Sequence, residues 1–172
     1  MKASSVRAVQ DSPGFTLVEL SIVLVSALII MASAVPFVDV VLDQYNLVLA
    51  AQGIATQMQG TRMRAVSSNE PLRLRFGPAA NSYRVELDNG TVFAGPFWLP
   101  RGIVLNDEAG DPVSFPGDVV RFLPTGSLPT SGTGSAGRVK LVNQTGVRID
   151  IVVDGGGLVR QTPAFKTATP PF

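Results

Sequence analysis

The chain of 172 residues contains neither cysteine nor histidine. Without thiols there can be no disulfide staple, thiolate nucleophile or zinc–thiolate centre. The absence of disulfides does not fix the compartment, since an oxidising periplasm also houses proteins that lack them. Without imidazole, the commonest general base and metal ligand is missing. Net charge is scarce as well: 14 basic residues face 13 acidic ones, for a formal +1. That balance speaks against broad electrostatic binding of nucleic acid or anionic membrane. No pair of carboxylates or nucleophile–base set stands out. The sequence therefore predicts no enzyme, no cofactor and no resident metal.

What is present is an uneven distribution of apolar residues. The first stretch, 1–14, carries Lys2 and Arg7 against one acid, Asp11. An apolar run then opens, holding a single carboxylate, Glu19. A charge at the centre of a membrane helix costs about 2.5–3.5 kcal/mol on insertion scales, so an embedded acid usually has a partner and a task. From Leu20 to Val38 the chain is uncharged. At about 1.5 Å per helical residue that run matches a hydrocarbon core about 30 Å thick. Asp39 and Asp43 are the first charges beyond it. Basic residues before the span and acids after it put the N-terminus in the cytoplasm. An ordinary secretory signal would have a shorter apolar region, with its cleavage site after that region rather than before it.

A helix is expected from Phe15 or Thr16, after the Ser12-Pro13-Gly14 break, with a kink at Pro36. Residues 15–38 form the membrane segment, and 39–68 continue as an amphipathic helix. There Leu47, Ala51, Ile54, Met58 and Ala65 recur at helical spacing, while Asp43, Asn46, Gln52 and Gln59 fall elsewhere. Ser67-Ser68-Asn69, with Pro71 beyond, marks its end. From Leu72 the period changes to two. Leu72, Leu74 and Phe76 alternate with Arg73 and Arg75; Tyr83, Val85 and Leu87 alternate with Arg84 and Glu86. Further strands are read at Val92-Phe93, 103–105, 119–122, 139–142, 147–153 and 158–161. Residues 69–162 thus form an antiparallel β domain, and 163–172 an aperiodic tail. The fold class is α+β, a long N-terminal helix packed on a C-terminal antiparallel β domain.

Gly14-Phe15-Thr16-Leu17-Val18-Glu19 stands where the basic leader meets the apolar run. This pattern resembles the processing site of type IV prepilins and of the pseudopilins of type II secretion, with glycine, phenylalanine, the acid and Pro36 at family spacing. The resemblance implies a pilin-like fold and cleavage after Gly14 by a prepilin peptidase. It also implies N-methylation of Phe15, and entry into a filament with the help of an assembly ATPase and an inner-membrane platform protein. Cleavage frees the Phe15 amine, which in a filament can neutralise Glu19 of a neighbour and so fix subunit register. Arg101-Gly102-Ile103, Val120 to Ser127 and Val147 to Arg160 are similar to the β domain of H-type minor pseudopilins and of minor type IV pilins. The expectation is a minor pseudopilin in the periplasmic fibre of a type II secretion system, anchored once in the inner membrane, with other pseudopilins as partners. The alternative is a minor type IV pilin acting in pilus assembly or DNA uptake.

Four other features need weighing. Gly132 to Gly137 fits G-x-G-x-x-G, but the motif precedes a strand rather than opening a helix, so it reads as a surface loop. Asn106, Asp107, Glu108 and Asp111 gather oxygens of the kind calcium takes, without EF-hand spacing; a solvated turn is the better reading. Arg138, Lys140, Arg148 and Arg160 lie in or beside the last strands. Arg148 and Arg160 are the candidate nucleic-acid contacts, diluted by Asp150 and Asp154 and lacking aromatic neighbours for stacking. Asn143-Gln144-Thr145 is a sequon in a hairpin turn, which needs no glycan.

Overall fold

The computed structural model describes residues 14–106 and 111–166, and all side chains within them except those of 33–39. The leader up to Pro13, the tail from Thr167, the acids Asp107 and Glu108, and the Pro36 side chain lie outside the described residues; the helix itself runs through position 36. The chain forms two compact units, divided between Val38 and Asp39. Helix α1, Leu17–Ser68, supplies residues to both.

In the first unit α1 carries apolar residues on every side, so no single stripe can be buried. Each large apolar side chain from Phe15 to Met31 is at least 56% exposed. Polar groups here bond within the helix. The hydroxyl of Ser21 donates to the Val18 carbonyl at 2.7 Å, and that of Ser26 to the Ile22 carbonyl at 2.8 Å. Among the described residues no helix is long and apolar enough to cross a membrane. The described side chains of the apolar run stop at residue 32.

The second unit begins where α1 becomes one-sided. Leu47, Ala51, Ile54, Met58 and Ala65 are buried, three or four residues apart or a multiple of a turn. Asn69 ends the helix with φ 53°, a left-handed conformation that asparagine adopts more readily than most residues. The remaining chain forms β1 (Leu72–Gly77), β2 (Ser82–Leu87), β3 (Val92–Trp98), β4 (Ile103–Leu105), β5 (Val119–Phe122), β6 (Gly137–Asn143), β7 (Val147–Val153), β8 (Val159–Gln161) and β9 (Phe165–Lys166). One sheet has the order β3-β2-β1-β5. The other runs β4-β6-β7-β8, with β9 also on β7. Every pairing is antiparallel.

The apolar alternation of β1, β2, β6 and β7 turns one face of each sheet inward. Leu74, Phe76 and Val85 from one sheet, and Leu141, Ile149 and Ile151 from the other, join the helix stripe in one core. Each such side chain contributes about 1.5–3 kcal/mol by leaving water. Polar side chains tie the layers together. Asn81 spans the two sheets, its Nδ2 donating to the Ile103 carbonyl at 2.6 Å and its Oδ1 accepting from Leu105 N–H at 3.0 Å. Arg62 on α1 reaches the carbonyls of Gly126 and Gly156 at 2.7 and 3.2 Å. Gly157 sits against the Gly126 carbonyl with φ +77°, where any Cβ would collide.

Two elements differ from the sequence reading. Strand β3 extends beyond Val92-Phe93 to Trp98, passing through Gly95-Pro96, a dipeptide that reads as a breaker. It is an edge strand, where proline costs no ladder bond. Phe165-Lys166, read as part of the aperiodic tail, pairs with Arg148 and Val147 as β9.

Candidate functional site

The segment Gly14 to Glu19 opens the described part of the first unit. Thr16 is the residue before the helix and Glu19 its third residue, the spacing of a capping box. Thr16 N–H donates to Glu19 Oε2 at 2.9 Å, and the Thr16 hydroxyl donates to the same oxygen at 3.0 Å. In return, Glu19 N–H donates to Thr16 Oγ1 at 3.2 Å. Two N–H groups that the helix start leaves unpaired are thereby satisfied. Glu19 Oε1 has no partner among the described residues. Phe15 is 90% exposed. A Cβ built on Gly14 meets none of the described residues within 4 Å, and its φ is not in the left-handed region. Among the described residues nothing demands glycine at position 14.

The arginines of the last strands are paired with acids. Arg148 makes a bidentate pair with Asp150, Nε to Oδ1 at 2.6 Å and Nη2 to Oδ2 at 2.9 Å, and stacks 5.3 Å from the Phe165 ring centroid. Arg138 approaches Asp150 at 3.9 Å, and Arg160 approaches Asp154 at 3.8 Å. Lys140 donates to the Asp111 carbonyl at 3.2 Å. Asp107 and Glu108 of the oxygen-rich loop lie outside the described residues. Among the described residues no three acidic side chains gather as a metal would need.

The glycine-rich loop has a packing role. Gly134, at φ +84°, lies so close to β5 that a Cβ would collide with Arg121; its carbonyl accepts from Arg121 N–H at 3.1 Å. After it comes β6, not a helix, so no phosphate cradle forms. Asn143 of the sequon is fully buried. Its Oδ1 accepts from the Thr145 hydroxyl and Val147 N–H at 2.9 and 2.7 Å, shaping the β6–β7 turn.

The sequence reading did not single out the cluster on the outer face of the first sheet. Glu86, 1% exposed at its side chain, accepts from Arg84 Nε at 2.7 Å and from Arg75 Nε at 3.1 Å, with Arg73 Nη2 at 3.8 Å. Burial opposes its ionisation, but the hydrogen bonds and charges of Arg84 and Arg75 outweigh that and hold the carboxyl below its ordinary range. The signal was present in the alternation: Arg73 and Arg75 share a parity on β1, as do Arg84 and Glu86 on β2, and the β1–β2 register sets them opposite each other. Beside them Arg121 grips Asp88 with two bonds of 2.8 and 2.6 Å.

Comparison with known proteins places the β domain. The model of a family described as type II transport protein GspH matches residues 50–157. No curated protein matches the chain. Among solved structures, the type IV minor pilin FimU of Pseudomonas aeruginosa aligns at 14% identity with a TM-score of 0.53, over 70% of this chain and 91% of its own, a likeness of fold. The minor pseudopilin EpsH from the type 2 secretion system of Vibrio cholerae aligns at 12% identity and a TM-score of 0.48, over 66% of this chain and 94% of its own.

Proposed function

The chain belongs to the GspH family of type II transport proteins, and we propose that it is a minor pseudopilin, a structural subunit of the fibre of a type II secretion system. The observation that carries this reading is a helix, headed by Gly14-Phe15, whose apolar side chains the described residues leave uncovered. Such a surface needs lipid before assembly and neighbouring helices after it. We therefore read residues 15–38 as a single inner-membrane span, with the β domain in the periplasm.

In this mechanism a prepilin peptidase cuts after Gly14 and methylates Phe15, and an inner-membrane platform draws the subunit into the fibre. Before assembly, Thr16 occupies Glu19 Oε2. The unpartnered Oε1 is the acceptor for the Phe15 amine of an adjacent subunit, a pairing that sets register because a lone charge there is strongly unfavourable. The role is mechanical rather than enzymatic. The acids paired with Arg148 and Arg160 favour secretion over DNA uptake, since both cations are already engaged by acids.

Intact mass of the protein from its native membrane tests the reading. A chain starting at an N-methylated Phe15 is the expected result. A chain retaining residues 1–14 in cells with active peptidase would overturn the filament assignment.

A further inference from the structure

We propose that the outer face of the β3-β2-β1-β5 sheet is a docking surface for an acidic segment of a protein partner, with Arg75 and Arg84 as its cationic centre and Trp98 as its apolar anchor. The inference stands apart from the secretion reading.

The face is built from paired positions. Arg75 lies directly opposite Arg84, and Arg73 opposite both Glu86 and Arg121. Like charges directly opposite across a ladder are destabilising. Glu86 offsets only part of this: three guanidiniums converge on one carboxylate, which leaves two positive charges in surplus. Exposure is graded outward, from 1% for the Glu86 side chain through 18% for Arg73 and 36% for Arg75 to 46% for Arg84. The acid is the floor and the arginines the rim. Arg75 and Arg84 reach Glu86 through Nε, and their terminal Nη groups make no hydrogen bond among the described residues. Those groups form the planar fork that carboxylates take bidentately.

Trp98 completes the face. It pairs with Ser82, two residues before Arg84, so the indole stands on the arginine side at about 7 Å along the strand. It is the chain's one tryptophan, 67% exposed. Tryptophan and arginine together are the residues that dominate protein–protein interfaces. A surplus of two charges is too small for sequence-tolerant nucleic-acid binding, which draws on many phosphate contacts. Carboxylates on a protein match it in number and geometry.

The lone tryptophan makes the test direct. The full chain in detergent is titrated with a short capped peptide of alternating aspartate and glycine while Trp98 fluorescence is followed. A saturable change that weakens with added salt is expected, with no change from the asparagine–glycine peptide. Arg75→Gln with Arg84→Gln should weaken binding about tenfold or more. If that double variant loses its β circular dichroism, Arg84→Gln alone carries the test, because Arg73 and Arg75 still hold Glu86. The proposal is overturned by no response to the aspartate peptide, by equal response to the asparagine peptide, or by unchanged affinity in the folded variant. Tighter binding of a single-stranded oligonucleotide of equal charge would also overturn it, and would mark the face as a nucleic-acid surface.

Discussion

Two stretches of one helix treat the same residue types in opposite ways. From Leu17 to Met31, isoleucine, leucine and valine stand more than half exposed; from Leu47 to Ala65, the stripe residues Leu47, Ile54 and Met58 are at most 1% exposed. Helix propensity does not separate them. The distribution around the axis does: the first stretch is apolar on all sides, the second on one side, with Asn46, Gln52 and Gln59 elsewhere. A one-sided helix can be completed by its own β domain. An all-round apolar helix cannot be completed by any single neighbour, and the described residues leave it uncovered.

Truncating one isoleucine in each stretch gives the largest contrast. Ile54→Ala removes a fully buried side chain and should destabilise the β domain by about 2–5 kcal/mol in denaturant melts. Ile29→Ala, at a position 66% exposed, should leave that melt unchanged within about 0.5 kcal/mol. Equal losses from the two would mean that both stretches share one core, and would break the comparison.

The two compact units differ in the same way in how they house an acid. Glu86 is buried and held by three arginines, whereas Glu19 is exposed and, among the described residues, held by Thr16 alone. Because the folded pKa of Glu86 is depressed, its stabilisation is fully present above the ordinary value of 4.5. It is lost as pH falls below that value through the folded pKa. Glu86→Gln should therefore cost about 1–3 kcal/mol at neutral pH and flatten the acid limb of the stability curve. An acid limb as steep as wild type would assign the acid sensitivity to another carboxylate. Glu19→Ala should leave the β-domain melt and leader removal intact while fibre entry fails; normal incorporation, scored by crosslinking to neighbouring subunits, would remove Glu19 from the register.

Much of this was legible in sequence because it rests on period. The change from 3.6 to 2 near Leu72 gives the helix, the hairpin strands and the α+β class, and Gly14 to Glu19 gives the candidate site through its resemblance to prepilins. What escaped depends on register across strands. The grip of Arg75 and Arg84 on Glu86 exists only once β1 and β2 pair, and spacing along one strand does not state which residue lies opposite. Strand β3 past Gly95-Pro96 escaped for a related reason. Whether a proline breaks a strand depends on its being at an edge, and edge position is a property of the sheet. The buried Asn143 was read as a turn residue, yet its burial follows from the pairing of β4 with β6 at Ile103.

The smallest expected effect on folding is the sharpest on processing. At Gly14 a methyl group meets no atom of the described residues within 4 Å and the backbone is not left-handed, so Gly14→Ala should shift the β-domain melt by less than about 0.5 kcal/mol. If glycine is required there, the requirement belongs to the peptidase, whose active site must approach the backbone closely. Mass spectrometry of membranes expressing the variant should then show residues 1–14 retained in a folded protein. A mature mass equal to wild type would place the recognition elsewhere in the leader. A variant that loses both processing and its β-domain melt would make position 14 a folding residue, although a Cβ there meets none of the described residues.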